Sequence, residues 1–310
     1  MVELADVEAA REAIAGRLHR TPTFSSATLS ERAGARVWLK AELFQRTGSF
    51  KPRGVLTNLA ALTPEERERG VIGISAGNHA QALAWGASAE GLDALLVMWQ
   101  GASEAKIAAT RGYGAEVDLE SADPTEAFAR LDDLIEQTGR TPVHPFDHPR
   151  TIAGQGTVGL ELVEEVPDVD VVIVPVGGGG LISGIQTAIG DHVRVIAVEP
   201  ETSTALHTGL EHGASTWVKP VSIADGLNAP IAGALPLEIC RDLERHLVTE
   251  SEIEQAFRLL YERAKLACEP AGAAATAAWL SGRIEAERPV VLVSGGNVAT
   301  ETAAAILARR

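Results

Sequence analysis

Four short segments of this 310-residue chain place chemically capable residues where a ligand would meet them. The first is Thr47-Gly48-Ser49-Phe50-Lys51-Pro52-Arg53-Gly54. Proline suits the first position of a helix, so Lys51 is expected at the mouth of a helix that begins near Pro52. The positive end of the helix dipole disfavours an ammonium there, as does Arg53 nearby, and the free amine is the form that attacks an aldehyde. The chain holds only five lysines, which weighs against a generic surface charge, although a solvated helix-end lysine is the plainer reading.

The second segment, Ser75-Ala76-Gly77-Asn78-His79, follows an apolar run ending at Ile74 and opens a helix predicted over Ala80 to Ala89. Exposed amides at a helix start bind a carboxylate or phosphate; simple capping by Ser75 or Asn78 competes with that reading. His79 alone is weak evidence, since a lone histidine is more often a hydrogen-bonded structural residue. The third, Gly177-Gly178-Gly179-Gly180-Leu181-Ile182-Ser183-Gly184, follows the apolar run Val171 to Val176. Four glycines let the backbone approach a ligand and turn several N–H groups towards it, which suits a phosphate. The spacing is not a dinucleotide fingerprint, because the third glycine would fall on Ile182 or Ser183, and no Gly-Lys-Ser or Gly-Lys-Thr follows to make a P-loop. Glu199, about 20 residues further on, stands where a ribose-binding acid would sit and keeps a non-catalytic nucleotide-binding module in play. The fourth, Ser294-Gly295-Gly296-Asn297, follows Val290 to Val293. Residues just past the carboxyl end of a strand face the crevice of an open α/β sheet. Glu269-Pro270-Ala271-Gly272 and Ser222-Ile223-Ala224-Asp225-Gly226 read as turns or caps.

These segments need strands and helices to hold them. Apolar, β-branched runs recur at 37–39, 71–74, 95–98, 171–174, 193–196 and 290–293, with alanine-rich helical stretches between most of them. Continuous apolar strands alternating with helices imply parallel sheets covered on both faces, a doubly wound α/β architecture. The three prolines of Thr141 to Pro149 break the pattern most strongly and mark a crossing between domains. Ala271 to Ala278 reads as a tightly packed helix.

Composition narrows the function classes. The net charge of −15 argues against nucleic acid, whose binding depends on neutralising phosphates. No stretch approaches the roughly 20 apolar residues needed to cross a bilayer, and the acidic start lacks the basic region of a secretory signal. No membrane partner is therefore expected. Cys240 and Cys268 lie far apart and suit small core positions in a reducing cytoplasm.

Taken in order, these motifs resemble the fold type II (β-family) pyridoxal-phosphate (PLP) enzymes, and among them most the threonine and serine dehydratases. The resemblance runs nearly end to end, from Arg20-Thr21-Pro22 through Lys40-Ala41-Glu42 and Gly154-Gln155-Gly156-Thr157 to Ser294-Gly295-Gly296-Asn297. It implies a tryptophan-synthase-β-like fold with two doubly wound open-sheet domains and the cofactor between them. Residues 1–60 and 145–310 would form the large domain and 61–144 a small inserted one. The family pattern implies that Lys51 carries the cofactor as a Schiff base and later acts as general base, with Phe50 beside it. It implies that Asn78 meets the ring hydroxyl and that Gly177, Gly178, Gly179, Gly180 and Leu181 hold the phosphate. Gly226 would lie across the ring from the Ser75 to Asn78 loop, and Ser294 would face the pyridine nitrogen. Ser75, Ala76, Gly77, Asn78 and His79 would hold the substrate carboxylate.

The implied reaction is β-elimination of the hydroxyl of threonine or serine, giving a 2-oxo acid and ammonia. Departures from the relatives refine it. Ala76 stands where racemase-like members carry a second base, a serine, which disfavours serine racemisation. Ala205 replaces an aspartate of their metal site beside Glu199 and Ser203, so no metal is expected. The given sequence runs only 16 residues past Ser294, so a C-terminal regulatory domain is not expected. A lyase acting on another β-hydroxy amino acid, such as hydroxyaspartate, is the nearest alternative, and a homodimer is expected by analogy.

Overall fold

The computed structural model describes residues 1–309, with the side chains of all but Ala33 and Asp191. Two sheets form. The strands are β1 (Thr23–Ser25), β2 (Trp38–Ala41), β3 (Val71–Ile74), β4 (Ala94–Trp99), β5 (Glu116–Ser121), β6 (Thr141–Pro142), β7 (Val171–Pro175), β8 (Arg194–Pro200), β9 (Glu244–Val248) and β10 (Pro289–Val293). One sheet has the order β1-β2-β10-β7-β8-β9 and the other β5-β4-β3-β6. Strand β1 runs antiparallel to β2, and the other pairings are parallel.

The six apolar runs of the sequence are β2, β3, β4, β7, β8 and β10. The four strands that hydropathy did not reveal, β1, β5, β6 and β9, are the edges of the two sheets. Central strands such as β7 and β10 are buried along their whole length, whereas β5 and β9 keep most positions at least partly in water. An edge strand with a wet face carries polar residues and loses the continuous apolar signature.

Apolar clusters cover both faces of each sheet. One face of the six-stranded sheet packs against the helices Glu250–Leu259 and Pro270–Leu280, the other against Pro149–Glu165 and Gly180–Ile189. Val290 to Val293 are fully buried, each contributing about 1.5–3 kcal/mol of transfer free energy. The alanine-dense helix Pro270–Leu280 is buried from Pro270 to Trp279, and its small side chains let it lie close to the sheet. Cys240 and Cys268 are buried and unpaired.

The helix Pro149–Glu165 fixes how the lysine and the glycine turn are placed. A Cβ on Gly154 would lie 2.6 Å from Gly54 Cα, and one on Gly156 would lie 2.7 Å from the Gly184 carbonyl oxygen. Backbone therefore touches backbone on two sides. This one helix holds the helix that starts beside Lys51 (Pro52–Ala60) and the helix that ends the four-glycine turn (Gly180–Ile189). A buried ionic cluster adds to the clamp. Arg53 donates to Glu42 at 2.8 and 2.9 Å, to Glu161 at 2.7 and 2.9 Å and to Thr157 at 3.0 Å, while Lys40 reaches Glu161 at 2.9 Å.

The proline-rich segment crosses between the sheets. Thr141 pairs with Val71 in the four-stranded sheet, and after six intervening residues the chain enters Pro149–Glu165 against the six-stranded one.

Candidate active site

The lysine, the glycine turn and the two serine-bearing loops converge on one cavity at the carboxyl ends of β7 and β10, lined by Phe50, Lys51, Asn78, Phe146, Gly177 to Ile182, Gly226, Glu269 and Ser294. Lys51 immediately precedes Pro52 at the helix start, with helical φ and ψ of −54° and −35°. Its Nζ donates to the Pro145 carbonyl at 3.0 Å and lies 5.0 Å from the centre of the Phe50 ring. Burial pushes its pKa down to about 8, and the nearby Glu269 carboxylate opposes the shift. Arg53, expected from the sequence to repel this charge, turns its guanidinium away into the Glu42 and Glu161 cluster. Desolvation lowers the pKa without it.

Lys51 is docked through its neighbours. The Phe50 amide donates to the Ser294 carbonyl at 3.2 Å, the Gly296 amide donates to the Gly48 carbonyl at 2.9 Å, and Ser49 bridges Gly295. Backbone hydrogen bonds thus join the Lys51 segment to the Ser294 loop, and Ser294 is buried on the cavity wall.

The glycine turn leaves the end of β7 and enters the helix Gly180–Ile189. Gly179 has φ +94°, a conformation L side chains rarely adopt, and a Cβ on Gly178 would lie 2.3 Å from atoms of the Phe146 ring. Among the described residues the amides from Gly177 to Ile182 donate to no backbone acceptor, because the Val176 amide is the last to pair with β8 and the Ser183 amide the first to pair within the helix. They form a concave set of donors at a helix N-terminus, the arrangement that binds a phosphate.

Asn78 does not cap its helix, Asn78–Ala89. Its Nδ2 donates to Glu269 Oε1 at 2.7 Å, and its Oδ1 accepts from Asn297 Nδ2 at 2.9 Å. Glu269, read from the sequence as a turn residue, is a buried carboxyl group on the cavity wall, with Oε2 lacking a partner among the described residues. Burial pushes its pKa up to about 7, Asp225 adds to the rise, and Lys106 and the Asn78 bond oppose it.

The Ser75 to His79 loop opens onto a larger adjoining cavity that also reaches Lys51 and Gly226. The Ser75 amide is spent on Val97 and the Gly77 amide on Ser75 Oγ at 3.1 Å, which leaves those of Ala76, Asn78 and His79 without an acceptor among the described residues. The His79 ring faces the other way. Its Nε2 lies 2.9 Å from the Val143 carbonyl, and burial, with Lys51 adding, pulls its pKa down to about 3. Facing a carbonyl, Nε2 must carry the hydrogen, so the imidazole is neutral and Nδ1 is a bare acceptor. Only the backbone of His79 is suited to a carboxylate.

Glu199 stands apart from this cavity. Both its oxygens accept amides, from Leu206 and His207 at 2.8 Å each, so it caps the helix Ala205–His212 and is not presented to a ribose. Among the described residues no group of three His, Cys, Asp or Glu side chains is placed to hold a metal.

Comparison with known proteins agrees with this geometry. A profile of the family described as pyridoxal-phosphate dependent enzyme matches residues 14–296. The chain belongs to that family. This pyridoxal-phosphate enzyme is 42% identical over 306 residues to L-threonine ammonia-lyase of Thermotoga maritima, covering 96% of the present chain and 76% of the relative. Among solved structures, maize serine racemase superposes with a TM-score of 0.93 at 35% identity, over 97% of this chain and 95% of that one. The processed form of threonine deaminase isoform 2 from Solanum lycopersicum superposes with a TM-score of 0.90 at 31% identity, over 99% of this chain and 92% of that one. Fold type II architecture is thereby shown. The residues of this enzyme's inner cavity that sequence reading did not assign to the site are Phe146 and Glu269, and Asn297 supports the site from behind Asn78. Proline punctuation around Phe146 and the Glu-Pro pair at Glu269 were visible, but nothing local tied either to Lys51.

Proposed function

We propose that this pyridoxal-phosphate enzyme is an L-threonine ammonia-lyase that also accepts L-serine, eliminating the β-hydroxyl to yield a 2-oxo acid and ammonia. The names of the relatives support the reading, and one observation carries it. An amine whose pKa burial has lowered to about 8 opens on the same cavity as the run of free amides from Gly177 to Ile182. That pairing fits an aldehyde at one end and a phosphate at the other.

When bound, pyridoxal phosphate supplies an electron sink for the Cα carbanion. The chain's own residues do the rest. Gly177, Gly178, Gly179, Gly180 and Leu181 hold the phosphate through their amides, with Phe50 and Gly226 as walls. Asn78, steadied by Glu269 and Asn297, would hold the ring hydroxyl, and Ser294 would meet the ring nitrogen with a neutral hydroxyl that, unlike a carboxylate, does not favour its protonation, so the cofactor would supply a weaker electron sink suited to prompt elimination. The Lys51 amine, held near its free form by burial, would carry the cofactor and serve as the general base for the substrate's Cα proton. The amides of Ala76, Asn78 and His79 in the Ser75 to His79 loop would hold the substrate carboxylate and so orient Cα towards Lys51. Ala76 offers only a methyl group on that face, so a second proton transfer and racemisation are disfavoured despite the likeness to serine racemase.

We further take residues 61–144 as a small domain inserted between 1–60 and 145–310, working as a homodimer in the cytoplasm on a small amino-acid substrate. The test is direct. The purified protein should be yellow from lysine-bound cofactor, form 2-oxobutanoate from L-threonine, and yield a borohydride-trapped adduct on Lys51. Lys51→Ala should lose both colour and turnover. An adduct on another lysine, or brisk conversion of L- to D-serine without oxo acid, would overturn the reading.

A further inference from the structure

The larger cavity beyond Lys51 has an outer wall that the reaction leaves unexplained. Phe128, from the helix Pro124–Thr138, and Trp217, from the segment between the helices Ala205–His212 and Ala234–Ile239, meet edge to face with ring centres 5.7 Å apart. They reach the cavity from opposite sides, one following the four-stranded sheet and one the six-stranded. Trp217 keeps 50% of its surface in water in a chain only 4% aromatic. A large apolar ring left half exposed at a cavity mouth is a surface waiting for an apolar group.

The polar groups around this wall are already engaged or are acceptors. Lys106 is ion-paired with Asp225, and Asp123 accepts the Thr125 and Glu126 amides at 2.7 and 3.0 Å. Asn228 donates its Nδ2 to the Ser222 carbonyl at 2.9 Å and leaves Oδ1 buried without a partner. Lys219 sits at the rim, exposed, where water screens its charge. An apolar wall whose neighbouring half-buried cation, Lys106, is already paired with Asp225 offers a second carboxylate no partner to offset its desolvation.

We propose that Phe128 and Trp217 are specificity-determining residues: together they seat the substrate's β-substituent and select β-hydroxy amino acids whose substituent is hydrocarbon, methyl and larger, over those bearing a second carboxylate. The proposal rests on the ammonia-lyase reading. With the substrate's carboxylate on the Ala76 to His79 amides and its amine at the cofactor, the β-substituent is the part left to meet this wall. Each methylene buried there raises kcat/KM about fourfold.

The experiment compares oxo-acid formation from L-serine, L-threonine, L-3-hydroxynorvaline and L-threo-3-hydroxyaspartate in wild type, Phe128→Ala, Trp217→Ala and Trp217→Phe. In wild type, kcat/KM for hydroxyaspartate should fall at least tenfold below threonine, and hydroxynorvaline should match or exceed threonine. Each alanine variant should lower the threonine to serine ratio about fourfold and the hydroxynorvaline to serine ratio about tenfold. Trp217→Phe should keep both within about twofold. If an alanine variant loses turnover, binding of L-alanine, L-2-aminobutyrate and L-norvaline, read from the cofactor's absorbance, should show the same loss of chain-length preference. Equal losses on every ligand, or hydroxyaspartate turned over as well as threonine, would overturn the proposal. Wild type that makes oxo acid from neither serine nor threonine would instead overturn the lyase reading beneath it.

Discussion

Asn78 Nδ2 and Glu269 Oε1 meet at 2.7 Å, joining the helix that follows β3 to the turn that opens Pro270–Leu280 across 191 residues of chain. The acceptor is a buried carboxyl group whose pKa burial has raised to about 7, so near neutral pH it exists in both protonation states.

Glu269→Gln preserves an oxygen acceptor for Asn78 but cannot ionise. The pH profile of kcat/KM should lose an inflection near pH 7, with roughly tenfold lower activity at the pH where wild type is ionised and little change below pH 6. An identical inflection in the variant would remove Glu269 from any role in the chemistry.

Arg53 should matter to folding more than to the amine beside it. It is 1% exposed and Glu42 is wholly buried, so Arg53→Met leaves Glu42 without its cation and is expected to cost about 3–5 kcal/mol in urea unfolding. Adding Glu42→Gln should recover part of that loss, since the uncompensated charge is then gone. A single variant within about 1 kcal/mol of wild type would show that the cluster does not hold the Lys51 helix in place.

His79 makes the fold acid-sensitive. Its pKa in the folded chain is about 3 against about 6.5 unfolded, so the unfolded state takes up the proton first. The stabilisation is fully present above pH 6.5 and is lost as pH falls towards the folded value, at about 1.4 kcal/mol per pH unit. Over pH 6.5 to 4 the stability advantage of wild type over His79→Gln should shrink by that slope, measured by denaturant unfolding. A pH-independent difference would mean that the ring is protonated without penalty.

Much of the architecture was legible because its signals are local. Val290 to Val293 and Val171 to Val174 read as buried strands since central parallel strands are apolar on both faces, while β5 and β9 stayed hidden because edges keep water on one side. Lys51 before a helix-starting proline, and four glycines after a strand, are patterns a few residues long, so the amine and the phosphate turn could be named before the fold was seen.

The sequence by itself thus determined the strand-to-helix junctions and the chemistry each offers, because propensity and hydrogen-bonding capacity are properties of neighbouring residues. Tertiary structure decided what those junctions meet. Glu269 beside Asn78, Pro145 over Lys51, Arg53 held by Glu161 away from the amine and Phe128 against Trp217 depend on partners about 90 to 190 residues distant. Such pairs are set by how helices clamp and sheets cross, and desolvation, which shifts the pKa values of Lys51 and His79, exists only once the chain has closed around them.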